Sequence, residues 1–183
     1  FDAMSIHHIT NEMVVNAPLL DVAWPSIRDG GEYGDKITAM GAHNAVFDFA
    51  FLPVILPRVC TLRIARHFWP NIENHKNQYL RYYLGVKVNP DLATHRAMGD
   101  AMVTALNLQV MLKVATEEKG IEDIEVLIDY VNKPILLTTC RFGKAHAGKP
   151  WSKVPKDYMM WMKSNVTDMD MDTAHTIAHY LGR

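Results

Sequence analysis

Apolar residues recur from Arg96 to Lys119 at Met98, Ala101, Met102, Ala105, Leu108, Val110, Leu112 and Ala115. That is the three-and-four spacing of one helix face, and Gly120 supplies a stop. The spacing predicts a helix over Arg96–Lys119, the clearest element in the chain. Shorter one-sided patterns predict helices over Asn16–Ile27, Thr61–Phe68, His75–Leu84 and Ile121–Tyr130. Trp69-Pro70 and Gly85 end two of these. Ile37–Gly41 reads as a short buried strand after a turn at Gly30-Gly31. Asn44 is placed to cap a helix from Val46 to about Leu56, which Pro53 would kink and Pro57 would end.

Past Pro134 the composition changes. From Arg141 to Lys156 there are five basic residues and no acid: Arg141, Lys144, Lys149, Lys153 and Lys156. Phe142, Trp151, Tyr158 and Trp161 are interleaved with them. Residues 133–183 therefore read as a small α+β module, with one or two short strands and then helices near Pro155–Asn165 and Asp170–Leu181. Residues 1–132 read as the main domain, of α/β class. The basic run suits either a solvated turn or a grip on nucleic acid, with lysines on phosphates and an aromatic ring on a base. The absence of acids favours the grip. Met159-Met160-Trp161-Met162 reads as core of the small module.

Composition narrows the class. The 183 residues are 49% hydrophobic and 21% charged with a net charge of −1, which excludes a disordered polyelectrolyte. Cys60 and Cys140 make neither a disulfide framework nor a metal-ligand pair, and fit a reducing cytoplasm. The longest apolar stretch, Ala45–Pro57, is interrupted by Asp48 and is too short to span a bilayer. No secretory signal is visible. The chain opens on Phe1 without a cap or turn, which suggests a missing upstream segment.

Two constellations carry candidate chemistry. His43-Asn44-Ala45-Val46-Phe47-Asp48 lies at a strand-to-helix junction, and His95-Arg96-Ala97-Met98-Gly99-Asp100 lies where a loop enters the long helix. A carboxylate in an apolar helix is expensive to bury without a cation, metal or donors. Asp48 and Asp100 could converge at one end of a sheet, where carboxylate oxygens suit Mg²⁺ or Mn²⁺ and His95 could take a proton from the attacking water. Taken singly, Asp48 could pair on a solvent-facing stripe, Asp100 could favour a helix N-terminus, and His95 could be an ordinary loop residue. Taken together the two patterns are harder to ascribe to chance. Gly143 to Lys149 has phosphate-loop spacing, but Pro150 replaces the hydroxyl residue and no helix follows directly. His175 and His179 sit one helical turn apart without a zincin glutamate, and read as surface residues.

The runs His43–Asp48 and His95–Asp100 resemble the second and third motifs of the DnaQ-like 3′→5′ exonucleases, the third in its histidine (DEDDh) form. Ser5-Ile6-His7-His8-Ile9-Thr10 resembles the Ile-His-x-Ile-Thr stretch of that family. Cys60–Pro70, and Leu136–Lys144 with Gly148-Lys149 and Asp157-Tyr158, resemble segments of the exodeoxyribonuclease X family, so the likeness covers nearly the whole chain. It implies a ribonuclease H-like exonuclease fold that hydrolyses DNA from the 3′ end to 5′-mononucleotides, in DNA repair or end trimming. It implies two Mg²⁺ or Mn²⁺ ions, with Asp48 and Asp100 as ligands and His95 as general base. His43 and Asn44 would line the site, Asn44 mainly as structure, and His7 and Thr10 would lie beside the terminal nucleotide. Lys144 and Lys149 would bind substrate phosphates. The family's first motif, an Asp-x-Glu pair on the first strand, has no counterpart here, since Asp2 lacks a Glu two positions on. The expectation is a domain truncated at its N-terminus, lacking early strands, and impaired as a nuclease. The alternative is a non-catalytic nucleic-acid-binding protein that uses its basic module. An RNA-trimming enzyme on the same scaffold is a further possibility.

Overall fold

The computed structural model describes residue 4 and residues 8–28, 37–53, 55–89 and 97–182. His7 and His95 lie outside the described residues. In chain order the described elements are α1 (Asn11–Val14), α2 (Leu20–Arg28), β1 (Met40–Ala42), α3 (Ala45–Asp48), β2 (Arg58–Cys60), α4 (Thr61–Phe68), α5 (Asn77–Tyr83), α6 (Ala97–Lys119), α7 (Ile124–Val131), a 3₁₀ turn (Trp151–Lys153), α8 (Lys156–Asn165) and α9 (Met171–Leu181).

Among the described residues the sheet is one parallel pair, with Met40 opposite Arg58, Gly41 opposite Val59 and Ala42 opposite Cys60. The strand expected from Ile37 is shorter than its apolar run, because β2 offers partners only for Met40–Ala42. Gly41 has a packing reason: a Cβ there would lie 3.1 Å from the Leu108 side chain, so glycine lets α6 close onto the strand.

The helix expected over Val46–Leu56 stops at Asp48. Irregular turns continue to Leu52, whose N–H reaches the Asp48 carbonyl at 3.2 Å. Pro53 then disfavours helical geometry in the residue before it. Asn44 does not act as the expected cap. Its backbone is left-handed (φ 65°, ψ 50°) and its side chain makes no capping bond. A cap needs extended geometry, whereas asparagine is among the few residues that tolerate this conformation. By contrast, the carboxylates of Asp123 and Asp170 accept from the opening N–H groups of α7 and α9.

The long helix begins at Ala97 among the described residues and buries a different face from the one expected. Gly99, Val103, Asn107, Met111 and Ala115 form its buried stripe. Met98, Met102 and Leu112, all expected inside, are exposed. Apolar residues surround the whole helix, so the pattern alone could not choose. Packing against α4 and α5 selects the stripe that repeats every four residues, and the other apolar face becomes a cavity wall.

Among the described residues, most of the buried apolar side chains fall into three clusters. One joins Val59, Ile64, Phe68, Leu80, Met111, Leu127 and their neighbours. A small one joins Trp24, Ala45 and Phe49. The third is built from Cys140, Trp151, Val154, Met159, Met162 and Ile177. Within the methionine run only Met159 and Met162 are buried, while Met160 and Trp161 face outward. The expected strands of this part reduce to a bridge between Thr139 and Pro150. The turn it closes passes through Gly143 at φ 70°, where a Cβ would collide with the Tyr158 hydroxyl. The turn lacks the loop-into-helix frame of a nucleotide-triphosphatase phosphate loop, because the next regular helix waits until Lys156. No helix among the described residues is long and apolar enough to cross a membrane.

Candidate active site

β1 runs into Ala42, and the chain turns through His43 and Asn44 into α3. That turn puts the His43 and Asp48 side chains beside the start of α6. One cavity of about 750 Å³ is lined by His43, Asp48, Lys76, Asn77, Gln78 and Asp100, with Ala101, Ala105 and Leu108 as its apolar wall. The two candidate carboxylates thus share one cavity although they come from distant parts of the chain.

The setting of Asp48 differs from the expectation. The apolar run around it is not core: Val46 is 84% exposed, Phe47 65% and Phe51 67%. Asp48 itself is half-buried at the cavity. Residues Met98, Ala101 and Met102 around Asp100 are likewise exposed.

Asp100 is held from α5. Gln78 Nε2 donates to Asp100 Oδ1 at 3.0 Å. Asn77 Nδ2 donates to the Asp100 carbonyl at 3.2 Å and to Thr104 Oγ1 at 2.9 Å. The fully buried Asn107 donates to Asn77 Oδ1 at 3.0 Å, so a polar ladder pins α5 to α6. Sequence reasoning missed Lys76, Asn77, Gln78, Thr104 and Asn107. The polar run His75–Gln78 at the head of a helix was the available signal.

His43 Nδ1 lies 3.0 Å from the Thr61 hydroxyl. Burial, aided by the Arg66 charge, holds the His43 ring below the usual histidine range, against the pull of the His75 backbone and Asp48. The ring is therefore neutral at pH 7. Asn44 is exposed beside the cavity without lining it, and Thr10 is exposed ahead of α1, also outside the lining. Lys144 and Lys149 are exposed on the Cys140–Pro150 turn and do not line this cavity. His175 and His179 are exposed on α9.

His67 and His75 share the lowered affinity for protons. Burial is the main cause in each, and a nearby arginine adds to it. Below about pH 6.5 the unfolded chain takes up protons that the folded chain refuses. Stability is therefore expected to fall as pH drops through that value. The urea midpoint should be lower at about pH 5.5 than at about pH 7.5. Replacing both His67 and His75 with Gln should flatten the difference, and an unchanged difference would contradict this account.

The family model described as Exonuclease matches residues 1–108. The chain belongs to the exonuclease family. It is 33% identical to exodeoxyribonuclease 10 of Escherichia coli strain K12 over 98% of this chain and 78% of that protein. It is 36% identical to the PolC-type DNA polymerase III of Bacillus subtilis strain 168, covering 62% of this chain and 8% of the polymerase. A solved structure of exonuclease X in complex with 5′-overhanging duplex DNA superposes with a TM-score of 0.59 at 31% identity, over 71% of this chain and 72% of that one. The fold is thus that of the ribonuclease H-like exonucleases, with DnaQ-like and exodeoxyribonuclease X-like character, and the protein is a hydrolase.

Exonucleases of this family work with divalent metal ions. Among the described residues no cluster of three or more His, Cys, Asp or Glu could hold a metal unaided. Two carboxylates at one open cavity do suit Mg²⁺, which keeps several waters and binds through one or two carboxylates plus substrate phosphates. The donor set therefore fits a hydrated ion completed by substrate.

Proposed function

We propose that this exonuclease removes nucleotides from the 3′ end of DNA by hydrolysis, releasing 5′-mononucleotides, in DNA repair or end trimming. The observation that carries the reading is the sharing of one cavity by Asp48 and Asp100 in a chain of this family. The relative solved with duplex DNA supports DNA as substrate.

Asp48 and Asp100 would hold Mg²⁺ or Mn²⁺, two ions in the intact family site. When bound, such ions neutralise charge on the phosphoryl and leaving oxygens. His95 would take the proton from the attacking water. Lys76, exposed at the cavity, would place its ammonium against a substrate phosphate. His43 and Asn44 would line the site, and the stretch holding His7 and Thr10 would lie beside the terminal nucleotide. Lys144 and Lys149 would meet phosphates beyond the cavity. Residues 1–132 would form the exonuclease domain and 133–183 its C-terminal module, supported by the separate apolar cluster of the latter. Two free thiols suit a reducing cytoplasm.

The test is digestion of a 5′-labelled single strand with Mn²⁺. A ladder shortening from the 3′ end is expected. No shortening, or products cut internally, would overturn the reading. Gln78 positions Asp100 rather than touching the reacting atoms. Gln78→Ala is expected to lower kcat by roughly 10- to 100-fold, with a partial return in Gln78→Asn.

A further inference from the structure

Where α4 meets the Cys140–Pro150 turn lies a further cavity of about 100 Å³. Arg66, Arg141, Phe142, Trp151 and Asp170 line it. That volume accommodates about three waters or one tetrahedral oxyanion.

Two of the polar groups among its lining residues have no partner within the protein. Trp151 is 1% exposed, and its indole N–H has no hydrogen-bond partner. A buried donor left this way costs free energy that a ligand or water would recover. The Nε of Arg66 is equally buried and unpartnered. Arg141 makes no ion pair among the described residues.

The charges decide which ligand suits. Asp170 is occupied as the cap of α9, where it accepts from the Asp172 and Thr173 N–H groups and the Thr173 hydroxyl. Asp172 is occupied by Arg63, Arg66 and the Ile135 N–H. The guanidiniums of Arg63, Arg66 and Arg141 outnumber these two carboxylates by one. Lys144 and Lys149 stand on the same turn as Arg141 and add to the positive field. A smaller adjoining cavity of about 20 Å³ has room for one water. There His75 donates through Nε2 to the Trp69 carbonyl at 2.9 Å, which leaves Nδ1 as an unpartnered acceptor suited to that water rather than to an anion.

We propose that Arg66, Arg141 and the Trp151 indole N–H form a phosphate-binding subsite, separate from the catalytic cavity, that holds a backbone phosphate of the bound strand. Arginine matches phosphate with paired donors, and the buried indole adds a neutral one. Phe142, 42% exposed at the rim, offers a face to an adjacent base. The site deepens the DNA exonuclease reading and rests on it for the identity of the strand.

The test follows the indole ¹H–¹⁵N resonance of Trp151 in the full chain, assigned by its loss in Trp151→Phe. The probes are inorganic phosphate, chloride at equal ionic strength, and a short oligothymidylate in EDTA so that nothing is cut. The resonance is expected to shift with phosphate and with the oligonucleotide but not with chloride, and Arg141→Gln is expected to abolish the phosphate shift. In anisotropy titrations with the same single strand, Arg141→Gln should reduce the slope of log affinity against log salt by about 0.7, because one phosphate is no longer neutralised by the protein. Trp151→Phe keeps the ring packing and should weaken the strand roughly five- to tenfold with the slope unchanged. A strand that binds without moving the indole resonance overturns the subsite while leaving the nuclease reading intact. A response identical for phosphate and chloride overturns it as well. A phosphate shift without strand binding supports the phosphate site and counts against the DNA reading instead.

Discussion

Asp100→Asn is expected to reduce 3′→5′ digestion at least about 100-fold, the range for losing one group that stabilises transition-state charge. The substitution nearly preserves shape. The backbone carbonyl of residue 100 would still accept from Asn77 and from the Thr104 hydroxyl, so the start of α6 should stay in place. What disappears is the negative charge facing the cavity. An amide can still accept from Gln78 through its oxygen, so thermal stability should change by no more than about 2 °C, the size of a sub-kilocalorie effect in a chain of this length. Strand binding in EDTA should persist, because the charge removed repels phosphate. Asp48→Asn should act in the same direction. The double variant should be little worse than either single one, since groups that act as a unit lose their function together. Activity within tenfold of the parent would remove Asp100 from the metal site. A large loss of stability would mean that the carboxylate serves the fold instead.

That Asp48 and Asp100 meet at one cavity was legible in the sequence because each sits in a short motif next to a helix start, and such local spacing survives folding. Helices bounded by local signals were legible too. Thr61–Phe68 has the predicted limits, and Lys156–Asn165 follows Pro155 as expected. The buried face of α6 was not, because apolar residues surround that helix and only its neighbours choose among them. The Asn77–Asn107 ladder was hidden for a related reason. Asn107 lies among apolar positions and becomes meaningful only when α5 brings Asn77 within 3.0 Å of it. Asn44 misled because asparagine serves both as a helix cap and in left-handed turns, and its spacing does not separate the two. Asp172 gave no signal at all: in sequence it is one acid in a terminal helix, and in the structure it is fully buried.

That burial leads to the largest stability effect expected. Arg63 on α4 donates through Nε to the Val131 carbonyl at 2.9 Å, through Nη2 to the Lys133 carbonyl at 2.5 Å, and through Nη1 to Asp172. Arg66 reaches the same carboxylate at 3.4 Å, and the Ile135 N–H donates to its other oxygen at 3.0 Å. One carboxylate in the first turn of α9 therefore ties together α4, the end of α7 and the segment that leads into the C-terminal module. Asp172→Ala would leave the Arg63 charge, only 13% exposed, without its counter-ion, and would orphan a backbone donor. Removing one partner of a buried ion pair costs about 3–5 kcal/mol. At about 2–4 °C per kcal/mol for a chain of this size, the melting temperature should fall by about 6–20 °C. Asp172→Asn keeps an acceptor for the Ile135 N–H and should lose less. The pair need not be worth that much in itself, because two well-packed apolar residues in place of Arg63 and Asp172 could restore most of the loss. A double variant such as Arg63→Met with Asp172→Leu tests this. Recovery relative to Asp172→Ala would assign the cost to the stranded guanidinium. Equal or greater loss would assign it to the junction that the pair holds, and a melting temperature unchanged in Asp172→Ala would refute the linkage altogether.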